Sequence, residues 1–495
     1  MAEMSEEKKT ALNWIEKNGQ KIIGLSDKIW EYAEPALREF RSAKLLCNFL
    51  RKNGFQVNEG VAGMPTAFVG QYGSGKPVIG FYAEYDATPG NSQKPVPYRE
   101  PVIPHGPGFE DAHNMLGAAS IGAAVAAKEV MRKYNLQGTL KLFGTPAEKL
   151  LLGKCYFAKD GYYDDLDALL GWHPWNLNTV RWENGPGPHR FVVTKFYGVQ
   201  VYSARPWAGK NAFDATILMI NNINYMKGHV LPHDEYPVIN EVITVGGQSL
   251  TCTSEYCEIL IGVRAKTRRG IDAILELLNH SAKAASIMTG CNYEQRVMSG
   301  TRTMLPNLSL ARLVYQNLLI VGPPTFTQEE KEFCKQIQKN IGIQPLKEPL
   351  DETLTPPEEE AAEFFGGSDD YNEFTWHAPS AWLHVVLTFR TGDKLNYLTV
   401  PSWSRSALRK MGVTHKGGIV ASKTLAISAI ELFTSPTELE KAKAEFKERT
   451  KNGKEEPVVS KDAKPPIDLA LPEFNGEETI IRYPTSGKSS IYESH

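Results

Sequence analysis

The sequence is poor in the features that mark secreted, membrane-spanning or polyanion-binding proteins. Cysteine is scarce: six in 495 residues (Cys47, Cys155, Cys252, Cys257, Cys291, Cys334), scattered and without a CxxC pair. That excludes a disulfide framework or a zinc ribbon and fits buried, reduced thiols. No apolar run reaches the roughly 20 residues that a membrane span requires. Charge of one sign is missing too, with 55 Lys+Arg against 57 Asp+Glu and a net charge of −2. Neither nucleic acid nor an anionic membrane is therefore an expected partner. The N-terminal stretch MAEMSEEKKTALNWIEKNG is charged and lacks an apolar signal core, so it reads as an amphipathic helix. A cytoplasmic location is the expectation.

What is present is ordinary globular composition, 42% apolar and 23% charged, in a chain long enough for two or three domains. Residues 7–54 carry helical periodicity through Ile15, Ile22, Ile23, Ile29, Leu45, Leu46 and Leu50. Strands are expected at 66–72, 77–85, 139–146 and 167–174, with a Pro- and Gly-rich loop at 88–108 and a helix at 116–134. This order implies an α/β sheet, whose ligand site lies at the carboxyl ends of strands. Residues 190–303 change to a β-α-β-β-α-β order, the ferredoxin-like split motif, and read as a smaller α+β domain inserted into the catalytic one. The catalytic α/β domain is thus split into 1–189 and 304–440, closed by a helix at 416–433. A charged and Pro-rich tail, 441–495, shows no periodic core signal beyond about residue 448.

Chemistry-bearing residues gather at or just past the expected strand ends. Glu84 lies at the end of the second strand and Asp86 just past it, Asp111 and His113 stand two apart at a helix start, Glu148 follows a strand in TPAEK, and His173 sits in GWHP. Each pattern is weak alone. Together they offer two neutral imidazoles and one or two carboxylates, a set that suits Zn²⁺, Mn²⁺ or Fe²⁺.

The ordered runs AEYDATPG (83–90), PGFEDAHN (107–114), GTPAE (144–148) and WHP (172–174) resemble the M20 metallopeptidase family. More narrowly, the chain looks like the amidohydrolase branch, which includes p-aminobenzoyl-glutamate hydrolase and, as an outlying type, nitroanthranilate aminohydrolase. The likeness extends over roughly residues 10–450, through GVQVYSARPWAGKNAFDA (198–215), GSDDYNEFTW (367–376) and HKGGIVASK (415–423).

The resemblance implies a two-metal site, from which this sequence departs at defined points. Asp111 stands where the branch has a bridging Cys, and His113 and His173 are kept. The family's Glu-Glu pair reads Glu148-Lys149, so the general base is kept and a metal ligand has become lysine. Pro401 stands where a late histidine ligand would be, and Tyr202 falls where a lid histidine reaches the partner's site. The implied site therefore holds one divalent transition metal (Mn, Zn or Fe) on Asp111, His113 and His173, with Glu148 as general base. Lys149 and Tyr202 would stabilise developing negative charge. Asp86 would orient a ligand histidine through its second nitrogen. Arg205, with Lys210, would meet a substrate carboxylate. His377 has no family counterpart and is a further candidate ligand or acid. The expected activity is hydrolysis of a C–N bond in a small, carboxylated, aromatic substrate, in a homodimer or higher homo-oligomer formed through the inserted domain. The alternative is a degenerate, metal-free homologue with a binding role.

Overall fold

The computed structural model describes residues 4–183, 185–360, 367–392, 399–469, 471–474 and 479–481. Two compact units emerge, one from residues 1–188 and 299–463, the other from 189–298 and 464–495.

The larger unit is built on a seven-stranded mixed sheet. Its order is Gln56–Glu59, Phe68–Ser74, Gly138–Gly144, Val78–Ala83, Ala168–Trp175, Ser380–Val386, Thr179–Val180. The four central strands from Gly138–Gly144 to Ser380–Val386 run parallel, and antiparallel strands flank them. Every residue of Val78–Ala83, Ala168–Trp175 and Ser380–Val386 is buried, as expected for parallel strands covered on both faces. The helix His113–Tyr134 packs between Glu6–Tyr32 and Gly412–Thr434 and is buried almost all round. Its small residues make this possible. A β-carbon on Gly117 would stand 2.5 Å from the Glu84 carbonyl oxygen, so this turn of helix rests directly on the end of a sheet strand. Gly412–Thr434 is long and apolar enough to cross a membrane, but 72% of its apolar window is buried inside the protein, as in a core helix.

The smaller unit has four antiparallel strands in the order Asn292–Gly300, His189–Tyr197, Tyr256–Arg264, Val238–Val245. Helices Ala212–His229 and Arg268–Thr289 cover one face through Val192, Phe196, Ile259, Ile261, Met219 and Leu278. This is the ferredoxin-like arrangement expected from the β-α-β-β-α-β pattern. The C-terminal part differs from a coreless tail. Helix Pro436–Arg449 crosses the expected boundary at 440 and buries Leu439 and Ala442, and Val459 and Leu469 are buried further on. These contacts are too sparse to create a periodic pattern, which is why the sequence hides them.

Candidate active site

The loop 88–108 is closed at its neck, where Thr88 and Gly108 exchange backbone hydrogen bonds of 2.8 and 3.0 Å. Only glycine fits at 108, because a β-carbon would stand 2.2 Å from the Asn91 carbonyl oxygen. Asp86 enters this loop and Asp111 leaves it, so the closed neck brings the two segments together. Two alanines in the left-handed region, Ala112 (φ 52°) and Ala147 (φ 60°), immediately precede His113 and Glu148. That conformation costs an L-residue roughly 1–2 kcal/mol, and here it turns each following side chain into the site. The Ala147 N–H donates to Glu39 Oε1 at 2.8 Å, so a buried carboxyl pins the second of these turns. Burial, and then Asp86, push the Glu39 carboxyl up to about 8.

His113 is the hub. Its Nδ1 lies 2.8 Å from Asp86 Oδ1. Its Nε2 faces Glu84 Oε2 at 3.1 Å and Asp111 Oδ2 and Glu148 Oε2 at 3.6 Å each. His173 Nε2 lies 3.7 Å from Asp111 Oδ1, and its Nδ1 is held 2.9 Å from the Pro174 carbonyl. The Asp111 carboxylate thus lies between the two imidazole Nε2 atoms. Ligand atoms about 2.1 Å from a tetrahedral ion are about 3.4 Å apart, and each of these separations is close to that, although His113 and His173 face different oxygens of Asp111. Among the described residues, three donor sets have ligand atoms mutually within 4.8 Å: Glu84, His113 and His173; Asp111, His113 and Glu148; Glu84, Asp369 and Asp370.

Two of those sets surround a lysine. The Lys149 ammonium lies 2.7 Å from Asp111 Oδ2, 3.0 Å from Glu148 Oε2 and 3.4 Å from His113 Nε2. The Lys149 N–H also donates to Asp86 Oδ2 at 2.8 Å. Lys154, fully buried, has its ammonium 2.5 Å from Glu84 Oε1, hydrogen-bonded to Asp370 Oδ1, and 4.0 Å from Asp369 Oδ1. Both ammonium groups hold their protons far above the usual lysine range. Burial opposes this, but Asp111 and Glu148 at one, and Asp370 and Glu84 at the other, outweigh it. Asp111 is kept well below the ordinary carboxylate range, against burial, by Lys149 and His173. His113 is raised well above its ordinary value although burial and Lys149 act against it, because Glu84, Asp111 and Asp86 surround it. Burial raises Glu84 to about 8 and Asp370 to about 7 in spite of Lys154. Carboxylates outnumber ammonium groups here, so the cluster draws in protons near neutral pH and has the charge to accept a divalent cation in their stead.

Asp86, Asp111, His113, Glu148, Lys149 and His173 therefore meet in one cluster. His377 ends the turn Asp370–Trp376 with both ring nitrogens engaged, Nδ1 at 2.8 Å from Asp164 and Nε2 at 3.1 Å from Arg302. Burial and Arg302 lower its pKa, and its contacts knit two loops together. Tyr202 and Arg205 belong to the smaller unit, on an exposed loop where Tyr202 is 66% accessible. Pro401 opens the short helix Ser402–Ser406, next to Val400 in a separate apolar cluster with Phe326 and Ile337. Lys154, Asp369 and Asp370 carry no role in the sequence reading, and Glu84 figures there only for its strand end. The alternation of Glu84 and Asp86, and the acidic pair in GSDD, are the available signals.

No family model matches the chain. It is 29% identical over 465 residues to a subunit of p-aminobenzoyl-glutamate hydrolase from Escherichia coli (strain K12), covering 88% of this chain and 94% of that protein. It is 23% identical over 460 residues to Xaa-Arg dipeptidase of Mus musculus, covering 90% and 93%. Among solved structures it is similar to the aminobenzoyl-glutamate utilization protein from Klebsiella pneumoniae, with a TM-score of 0.56 and 15% identity over 85% of this chain and 97% of that one. That likeness shows the fold, a large mixed sheet with a separate small antiparallel one. The resemblance to M20-type hydrolases, visible first in short motifs, holds along nearly the whole chain.

Proposed function

We propose, proceeding from this kinship with M20-type hydrolases, that the chain is a metal-dependent hydrolase. It would cleave a C–N bond in a small, carboxylated, aromatic substrate. The observation that carries the reading is the Asp111 carboxylate between two imidazoles, with Oδ2 3.6 Å from His113 Nε2 and Oδ1 3.7 Å from His173 Nε2. These three residues would hold one Mn²⁺, Zn²⁺ or Fe²⁺ ion, with Glu84 beside His113 Nε2 as a fourth donor. Such an ion lowers the pKa of water into the neutral range. Glu148, whose Oε2 lies 3.0 Å from the Lys149 ammonium, would take a proton from water and deliver it to the departing nitrogen. Lys149 then faces the negative charge that develops on the substrate, where related enzymes have a metal-binding glutamate. Asp86 fixes the His113 ring so that Nε2 points into the cluster. Both amide hydrolysis and hydrolytic loss of ammonia from an activated aryl amine use this apparatus. Tyr202 and Arg205 would contact substrate, and a second copy would dock through the smaller unit.

A metal-free binding protein is the second reading, favoured by the Lys149 ammonium lying 2.7 Å from Asp111 and 3.4 Å from His113 Nε2. Titration with Mn²⁺ in two buffers of different ionisation enthalpy separates the readings. The hydrolase binds Mn²⁺ with proton release, and Glu148→Gln abolishes release of amine or ammonia from anilides and anthranilate-like amines while leaving Mn²⁺ affinity within a few-fold. Absence of binding and of metal-dependent turnover in the unaltered protein leaves the second reading standing.

A further inference from the structure

The most unusual group outside the proposed ligand set is Lys154. It has no exposed surface, and its ammonium lies among three carboxylates from two distant parts of the chain. The anchoring is doubled at Asp370, where Oδ1 takes the ammonium and Oδ2 takes the Lys154 N–H at 3.0 Å. On the remaining side the ammonium stands 5.1 Å from the centre of the Tyr82 ring. The outer oxygens of the same carboxylates point the other way, Glu84 Oε2 to His113 Nε2 at 3.1 Å and Asp369 Oδ2 towards His173 Nε2 at 4.0 Å. Three carboxylates with ligand atoms within 4.8 Å of one another make an all-oxygen set of the kind that Mg²⁺, Ca²⁺ or Mn²⁺ prefers.

We propose that Lys154 is a tethered cation that fills a three-carboxylate cation site formed by Glu84, Asp369 and Asp370, in place of a divalent ion. The lysine supplies charge without exchanging with solvent. It holds Glu84 and Asp369 in position beside the two imidazoles. Nothing in this inference requires that the chain be a hydrolase.

Replacement of the lysine tests it. Lys154→Ala removes the ammonium and three methylenes and vacates the place between the carboxylates. Lys154→Gln keeps more volume and offers an amide oxygen as a further donor. Bound Mn²⁺ is counted by equilibrium dialysis with spin-resonance detection of the free ion. Each variant should bind one equivalent more than the unaltered protein, whatever number that protein binds, and Asp370→Asn added to either variant should remove the extra equivalent. Mn²⁺ should also raise the melting temperature of the variants more than that of the unaltered chain. Lys154→Arg, which restores a cation, should bind the unaltered number. The proposal is overturned if folded Lys154→Ala and Lys154→Gln gain no equivalent, or if neither folds with Mn²⁺ present. Loss of metal binding by the unaltered protein would instead count against the hydrolase reading and leave this test intact.

Discussion

Replacing Lys149 by methionine removes a cation and keeps most of its volume. The ammonium lies 2.7 Å from Asp111 Oδ2 and 3.0 Å from Glu148 Oε2, with Glu110 Oε1 at 3.9 Å. At an effective dielectric constant of about 20, each of the two short contacts is worth about 5–6 kcal/mol of Coulomb energy. Desolvation offsets several kcal/mol of this, and Asp111, with its side chain 29% exposed, is partly screened. Removing one partner of a buried pair costs about 3–5 kcal/mol, and partial exposure places the expected loss at the lower end, about 3 kcal/mol. Urea unfolding in a chelator should show that loss. The same change removes a positive charge beside Asp111 and His113, so divalent binding should tighten at least tenfold, about 1.4 kcal/mol. The stability deficit should accordingly shrink when Mn²⁺ is added, since an ion at 100 times its Kd contributes about 2.7 kcal/mol. A loss below about 1 kcal/mol in chelator, or an unchanged Mn²⁺ affinity, would refute the view that Lys149 neutralises this cluster.

Two other changes probe the scaffold around the site. Glu39 is pushed up to about 8 from an ordinary 4.5, so the folded protein keeps its proton over a range in which the unfolded chain has lost it. Its contribution is complete below about pH 4.5 and is lost as pH rises through about 8; Glu39→Gln should flatten the fall in stability across that window, by up to about 1.4 kcal/mol per pH unit. An unchanged slope in pH-dependent urea melts would mean that Glu39 is ionised in the folded state. Gly117→Ala should destabilise by about 1–3 kcal/mol, because its β-carbon would meet the Glu84 carbonyl at 2.5 Å, and that overpacking outweighs the gain of about 1 kcal/mol from alanine's helix propensity. A higher melting temperature for this variant would show that the helix does not rest on the strand end.

The sequence exposes this architecture wherever one physical requirement acts on many consecutive residues. Alternation and helical spacing place the strands and helices of the smaller unit, because each must present a continuous apolar face to Val192, Ile259 and their neighbours. The same is true of Val78–Ala83 and Ala168–Trp175, whose full burial leaves unbroken apolar runs. Asp86, Asp111, His113, Glu148 and His173 are legible for a related reason: each lies at or close to the carboxyl end of a strand or the start of a helix, where local pattern marks the position. Lys154, Asp370 and Glu39 are different. Lys154 sits in a short helix and Asp370 lies 216 residues away, so only the folded chain brings their charges together. Glu39 lies 108 residues from the backbone that it pins.

Long-range pairing also explains why His377 looks functional in the sequence and Lys154 does not. In WHAP, an isolated histidine among apolar neighbours suggests a poised ligand, but Asp164 and Arg302 take up both ring nitrogens. In GKCYFAK, a lysine one residue into a helix suggests a solvated surface, yet it is fully buried. Burying an ammonium without compensation costs many kcal/mol, so Lys154 can stand there only because Glu84, Asp369 and Asp370 are assembled around it. The converse also holds. Three carboxylates packed together at Glu84, Asp369 and Asp370 need a cation or bound protons to offset their charge, and the Lys154 ammonium lies among them. Charge balance, more than the identity of any single ligand, therefore sets which positions in this cluster can change independently. Lys149 and Lys154 each stabilise two or more acids, and a substitution at either should be tolerated only with a matching change in the carboxylates it faces or with a divalent ion in its place.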